Sequence, residues 1–324
     1  MNPLVDLIIP CYNFEKYLDK TLSSVFDQTY KNINVICVND GSTDSTLKKL
    51  EEFQKIHSNL TIIDKENGGI EFALKDAIKS LKGNYVFLLG HDDTLSKDAL
   101  EKCVFAFEND REIDAVRVDL IFTNEQGEVL RALADRRKLD GLTALSETLQ
   151  PFWNIHTFCL WRRNIFERLV DVTNFGGMDF DELGTRYLYS LCRYVGFCDG
   201  EYYYLQHQQS IGKKFSIKRF DTLRTDHQLQ KVFEKSTRTT PEIMNLIKRL
   251  RFQSMLAMRI LYSSNRDKLT KSERKDINSQ FKFHYKDIDK KSLTHMSQIK
   301  RKLLLTDFSL FSLTTFVFTK IKRM

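Results

Sequence analysis

The sequence predicts an α/β fold: a mixed, mainly parallel sheet flanked by helices, followed by a helical, basic C-terminal region. Three observations predict it. Over the first 110 residues, short β-rich apolar runs alternate with segments of helical period, the pattern of βαβ units and a parallel sheet. A hairpin-like pair of runs after residue 115 adds antiparallel strands. The charge then changes sign: residues 210–324 hold 27 Lys and Arg against 10 Asp and Glu, a net of +17, which leaves −10 on the first 209.

Each element follows from a local signal. Residues 4–9, ended by Pro10, form the first buried strand. Residues 14–26 carry Phe14, Tyr17, Leu18, Leu22, Val25 and Phe26 at helical spacing. The second strand, 33–38, stops at Asn39-Asp40-Gly41, and Ser42-Thr43-Asp44 supplies caps for a helix to about residue 53. Residues 60–63 are a third strand. Asn67-Gly68-Gly69 breaks the chain before a helix over 70–81. The fourth strand, 85–89, runs into Gly90-His91-Asp92-Asp93, and Ser96 caps a helix to about 107. Residues 115–123 and 128–132 flank Glu125-Gln126-Gly127 as a hairpin. Residues 141–170 read as helix, turn and a strand–helix pair around Phe158-Cys159-Leu160. Asp179-Phe180-Asp181-Glu182 opens a helix to about 194, and Tyr202-Tyr203-Tyr204 is strand-like. The domain boundary is expected near 215, with 216–324 the basic helical region.

Composition excludes several classes. With 42% hydrophobic and 29% charged residues among 324, the chain is not intrinsically disordered, and 13 Gly with 4 Pro rule out a collagen-like protein. The six Cys never occur as Cys-x-x-Cys, which disfavours a zinc ribbon or a thioredoxin-type motif. Asp6 interrupts the first apolar run and no cleavage site follows, so a cytoplasmic protein with reduced thiols is expected. No Gly-x-Gly-x-x-Gly follows the first strand, and no Gly-x4-Gly-Lys-Ser/Thr occurs. The basic residues of the tail are dispersed without a nucleic-acid motif, so no nucleic-acid partner is expected. Residues 308–319 are twelve uncharged residues between basic clusters, shorter than the ~20 needed to span a bilayer. They suit a membrane interface, and equally a helix packed on the body or on a second subunit; the oligomeric state stays open.

Ligands of such sheets bind at the carboxyl ends of the strands, so Cys11-Tyr12-Asn13, Asn39-Asp40-Gly41-Ser42 and Gly90-His91-Asp92-Asp93 are expected to line one crevice. These segments also carry a resemblance. Ile8-Ile9-Pro10-Cys11-Tyr12-Asn13, Ser24-Val25-Phe26-Asp27-Gln28-Thr29-Tyr30 and Val38-Asn39-Asp40-Gly41-Ser42-Thr43-Asp44 resemble a family 2 glycosyltransferase of the GT-A fold. Asn67-Gly68-Gly69 and Lys82-Gly83-Asn84-Tyr85-Val86-Phe87-Leu88-Leu89 continue the likeness in order, strongly over residues 4–107 and weakly to about 215.

The resemblance implies a nucleotide-sugar half, 1–110, and an acceptor half, 111–215. It implies a donor site of Pro10, Tyr12, Asn13, Asp40, Gly69, Lys75 and Asp92, with Tyr12 stacking on the base and Asp40 accepting its imide N–H. It implies Mg²⁺ or Mn²⁺ at Asp92, Asp93 and His207, oxygen-rich donors that suit those ions. Two departures stand out. The family's Asp-x-Asp has Gly90 at its first position, and its Arg-Asn pair aligns with Leu74-Lys75. A general base is implied among Asp181, Asp179 and Glu182, in that order, with Arg186 two turns on; the same acids also suit a helix N-terminus electrostatically. Trp153, His156, Trp161, Arg162 and Arg163 are candidates for an acceptor cleft. The implied activity is inverting, metal-dependent transfer from a nucleotide-diphosphate sugar, a UDP-sugar first, to a saccharide or lipid-linked acceptor in bacterial surface-polysaccharide synthesis. The implied place of work is the cytoplasmic face of the membrane. Gly90 and Leu74 also suit a glycosyltransferase-like scaffold without catalysis.

Overall fold

The computed structural model describes residues 2–150, 156, 158–172, 180–207 and 215–287. The chain divides into two compact units, one of residues 1–176 with 180–213, the other of 214–324 with 177–179.

The first unit opens with β1 (Val5–Cys11), α1 (Leu18–Phe26), β2 (Ile33–Asp40), α2 (Thr46–Ile56), β3 (Leu60–Lys65), α3 (Ile70–Ile78) and β4 (Tyr85–Leu88). It continues with β5 (Thr94–Leu95), α4 (Ala99–Asn109), β6 (Ile113–Thr123), β7 (Val129–Leu133), β8 (Leu139–Asp140) and α5 (Gly141–Thr148). Then come β9 (Cys159–Arg162), α6 (Arg163–Phe166), a 3₁₀ turn at Glu167–Val172, α7 (Phe180–Leu191) and β10 (Tyr194–Leu205). Among the described residues the strands form one sheet in the order β3-β2-β1-β4-β9-β6-β10-β5, with β7 added to β6 and β8 to β10.

β1 lies between two parallel neighbours, β2 (Cys11 opposite Asn39) and β4 (Ile8 opposite Leu88). Strands buried on both faces must be apolar along their length, and Val5, Leu7, Ile8 and Ile9 are wholly buried. The one charge in that run, Asp6, is buried as well. Its carboxylate accepts from the side-chain amide of Asn34 and from the backbone amides of Lys82 and Gly83. Because β9 enters antiparallel between β4 and β6, the sheet is mixed. The expected hairpin is present as β6 and β7, with Gly127 at φ +83° in its turn.

Some boundaries move. The helix expected from residue 14 begins at Leu18, because the amides of Phe14 and Glu15 bond instead to Thr46 Oγ1 and Asp44 Oδ2. The Ser42-Thr43-Asp44 cluster therefore ties the end of β1 to the end of β2 as well as opening α2, whose N-cap Ser45 makes no side-chain cap bond. β10 runs twelve residues where only Tyr202-Tyr203-Tyr204 announced it.

The second unit contains a 3₁₀ turn at Ile217–Asp221, α8 (Thr222–Lys235), α9 (Pro241–Ser264) and α10 (Lys271–Lys286). Its core includes Phe220, Phe252, Met255, Tyr262, Ile277 and Phe281. Thr270 and Glu273 form a reciprocal capping box at α10. The apolar tail segment 308–319 lies outside the described residues.

Candidate active site

With β1 flanked by parallel β2 and β4, the loops after all three strands open on one edge of the sheet. Hydrogen bonds lock these loops together. Asn13, in the left-handed region at φ +51°, donates its amide to Ser42 Oγ and accepts from the Thr43 amide at 2.7 Å. Thr21 Oγ1 donates to the His91 carbonyl, and the His91 ring packs edge-on against Phe14 at 4.3 Å. Tyr12 stands about half exposed (47%) beside them.

Asp40 is the anchor of the β2 loop. Its carboxylate takes Lys65 Nζ at 2.8 Å, the Gly68 amide at 2.8 Å and the Gly69 amide at 2.7 Å. Burial pushes this carboxyl up, but Lys65 and the two amides outweigh burial and hold it below the usual carboxylate range. Gly41, at φ +67°, is required here: a Cβ would lie 2.6 Å from the Asn67 backbone nitrogen. Asp40 and Gly69, two of the expected donor-site residues, are thus joined by a hydrogen bond.

The β4 loop separates two carboxylates that look alike in sequence. Asp92 Oδ2 lies 2.9 Å from His207 Nε2 and is part exposed. Asp93 is buried, and both its oxygens are taken, Oδ2 by the Tyr202 hydroxyl at 2.5 Å and Oδ1 by the Leu205 amide at 2.8 Å. Burial and the neighbouring Asp92 push the Asp93 carboxyl well up, against the pull of those two donors. Asp93, expected as a second metal ligand, is thus engaged through both oxygens by donors on β10. The same contact accounts for Gly90, where a Cβ would come within 2.3 Å of Asp93 Oδ2 and 3.0 Å of the Tyr202 hydroxyl. The space of an aspartate side chain at position 90 is filled by Asp93.

A cavity opens beside this loop. Its lining includes Pro10, Gly90, Asp92 and Asp93 from the strand ends and Asp181 and Thr185 from α7. Leu74, Phe158, Trp161, Tyr202 and Tyr204 also reach it. Of the predicted bases, only Asp181 is seen on the cavity. Glu182 is instead paired at 3.0 Å with the buried guanidinium of Arg186, and Asp179 lies outside the described residues. Lys75 is not on the cavity; its helix presents Ile70 and Leu74 there. Among the acceptor candidates, Trp161 lines the cavity and Trp153 lies outside the described residues. His156 is buried against the Val118 carbonyl, Arg162 donates to the Ile113 carbonyl, and Arg163 pairs with Glu167.

Tyr202 and Tyr204 went unnoticed in the sequence as site residues. Alternation along a strand puts them on one face and Tyr203 on the other, so the signal was present in the Tyr-Tyr-Tyr run. Burial, together with Asp93, Asp92 and Asp181, raises the Tyr204 phenol to about 12.

Among the described residues, no group of three or more His, Cys, Asp and Glu side chains is placed to hold a metal ion. Asp92 and His207 form a two-donor set of carboxylate and imidazole. The carboxylate suits Mg²⁺ or Mn²⁺ with substrate phosphates and water as further ligands, whereas the imidazole nitrogen suits the softer Mn²⁺ better than Mg²⁺.

Comparison with known proteins gives the family and the fold. The family model "Glycosyl transferase family 2" matches residues 6–170, just over half of the chain. Glycosyltransferase GlyA of Streptococcus pneumoniae is 39% identical over 97 residues, 30% of this chain and 14% of that protein. Chondroitin synthase of Pasteurella multocida is 34% identical over 128 residues, 40% and 13% of the two chains. The putative teichuronic acid biosynthesis glycosyltransferase TuaG of Bacillus subtilis is 36% identical over 115 residues, 32% and 46%. The matched stretch thus spans less than half the length of each of these relatives. Residues 1–349 of S. aureus TarS, solved with UDP-GlcNAc, superpose with a TM-score of 0.69 at 15% identity, covering 95% of this chain and 89% of that one. The mannosyltransferase PcManGT of Pyrobaculum calidifontis, solved with GDP-Man and Mn²⁺, gives 0.51 at 15% identity, covering 97% and 88%. At such identity these likenesses show the fold, which is GT-A. The matched model and the strand-end motifs together establish that the chain belongs to the family 2 glycosyltransferases.

Proposed function

We propose that the chain transfers a sugar from a nucleoside-diphosphate donor, UDP-linked first, to a hydroxyl of a saccharide or lipid-linked acceptor, inverting the anomeric centre, in the synthesis of a bacterial surface polysaccharide. The observation that carries the reading is the shared cavity: Asp92 and Asp181 face one space, and His207 touches Asp92. The acceptor hydroxyl gives its proton to the Asp181 carboxylate as its oxygen bonds the anomeric carbon. The bond from that carbon to the diphosphate oxygen breaks, and the nucleoside diphosphate leaves. Such general-base help is worth ~10²–10⁴-fold.

Tyr12 offers an exposed ring on which a pyrimidine can stack, and Asp40 holds the 67–69 loop beside it. Asp92 and His207 are the residues to hold a divalent cation, which when bound neutralises charge on the departing diphosphate. Relatives named for chondroitin and teichuronic acid synthesis support the polysaccharide setting. No helix among the described residues is long and apolar enough to cross a membrane; the 308–319 segment is proposed as a peripheral membrane contact at the cytoplasmic face.

The test is nucleoside diphosphate release from UDP-, GDP- and dTDP-sugars with and without Mn²⁺, beside calorimetry with UDP and Mn²⁺. Metal-dependent UDP binding with donor turnover is expected. Absence of both would replace the enzyme by a scaffold.

A further inference from the structure

The cavity between Asp92 and Asp181 is lined in large part by side chains that cannot hydrogen-bond. Leu74 comes from α3, Phe166 from α6, Leu169 from the 3₁₀ turn, and Phe180 and Leu188 from α7; all five are buried and all reach the cavity. Gly184 makes the arrangement close-packed. It sits on α7 between Phe180 and Leu188, and a Cβ there would lie 2.6 Å from Leu169 Cδ2. Several polar groups of the lining are already engaged. The Tyr202 hydroxyl donates to Asp93, and Thr185 Oγ1 donates to the Asp181 carbonyl. A sugar hydroxyl pressed onto the leucines and phenylalanines loses its water and meets no partner. A methyl group there meets apolar surface.

We infer that the transferred sugar carries a methyl-bearing substituent, the acetyl of a 2-acetamido group or the methyl of a 6-deoxy sugar, seated against Leu74, Phe166, Leu169, Phe180 and Leu188. This rests on the proposed transferase reading, since it is Asp92 and Asp181 that place the reacting sugar at this cavity. One added apolar group in such a pocket discriminates by about 10- to 200-fold.

The experiment measures kcat/KM for paired donors on the full chain: UDP-GlcNAc against UDP-glucose, UDP-GalNAc against UDP-galactose, and dTDP-6-deoxy-D-glucose against dTDP-D-glucose. At least a tenfold preference for the methyl-bearing member of one pair is expected, and the pair in which it appears tells acetamido from deoxy. A preference below tenfold in every pair, or better use of the plain hexose, overturns the inference and leaves the transferase reading standing. No turnover of any donor and no UDP binding overturns both. As a second measurement, Leu74→Thr should shrink the preferred ratio at least threefold while UDP affinity and the circular dichroism spectrum stay unchanged. An unchanged ratio in that folded variant removes the apolar lining from the explanation.

Discussion

The Tyr202 hydroxyl donates to Asp93 Oδ2 at 2.5 Å and accepts from the Gly90 amide at 2.9 Å, so one phenol joins the end of β4 to the end of β10. Two residues past the Leu205 amide that completes this brace stands His207, 2.9 Å from Asp92. The Tyr202–Asp93 pair and the part-exposed Asp92–His207 pair are thus joined through the same two chain segments.

Removing the phenol tests the brace. Tyr202→Phe leaves a buried carboxyl short of one donor and should cost about 1–3 kcal/mol in denaturant unfolding. It should also weaken Mn²⁺-dependent UDP binding without altering metal-free UDP binding. Equal loss in both conditions would make Tyr202 a packing residue only.

Gly90→Ala asks the same question sterically. The new Cβ would meet a carboxylate fixed from two sides, and overpacking of this kind costs about 1–3 kcal/mol. A fully stable Gly90→Ala protein, judged by its urea midpoint, would show that the Asp93 brace yields easily.

The two acids at the start of α7 should behave differently. Asp181→Asn is expected to lower kcat by ~10²–10⁴-fold with donor KM little changed. Glu182→Gln, which loses the ion pair with Arg186, should keep kcat within about tenfold and lower stability instead. If Glu182→Gln is the inactive variant, the base has been misassigned. In parallel, Asp92→Ala should abolish the cation-dependent part of donor hydrolysis, and turnover unchanged by it would remove Asp92 from any metal role.

Acid should destabilise the first unit through His156. Its Nδ1 accepts from the Phe158 amide, so Nε2 carries the proton and donates to the Val118 carbonyl. Burial, with Arg117 adding to it, lowers the imidazole from 6.5 to about 4. The unfolded chain therefore binds a proton that the folded one refuses. Stability from this group is complete above pH 6.5 and drains away as pH falls toward 4, by roughly 3 kcal/mol. Unfolding midpoints between pH 7.5 and 4.5 should fall more steeply for the native protein than for His156→Gln; matching slopes would refute this assignment.

The sequence carried the strand positions of the first hundred residues because each apolar run ends on polar turn residues, as at Asn39-Asp40-Gly41 and Gly90-His91-Asp92-Asp93. It could not tell Asp92 from Asp93. Adjacent carboxylates are equivalent until burial separates them, and the group that buries Asp93 lies 109 residues away. The two-residue strands β5 and β8 are too short to leave a periodic trace. In β10, Asp199 and Gly200 interrupt the β-rich pattern, yet glycine is needed where the strand crosses α4, since a Cβ would lie 2.8 Å from Ala99 Cα. Leu74 looked like a loss against the family pattern, whereas on the cavity it is one apolar contact among several.

Asp6 has a consequence for how the molecule is made. Its carboxylate sits in the middle strand with partners at Asn34, Lys82 and Gly83, the last two 76 and 77 positions downstream. A lone carboxylate is too costly to bury. On the ribosome, the amino-terminal segment therefore finds these two donors only after the ninth decade of residues has begun to emerge, and only then can the centre of the sheet close.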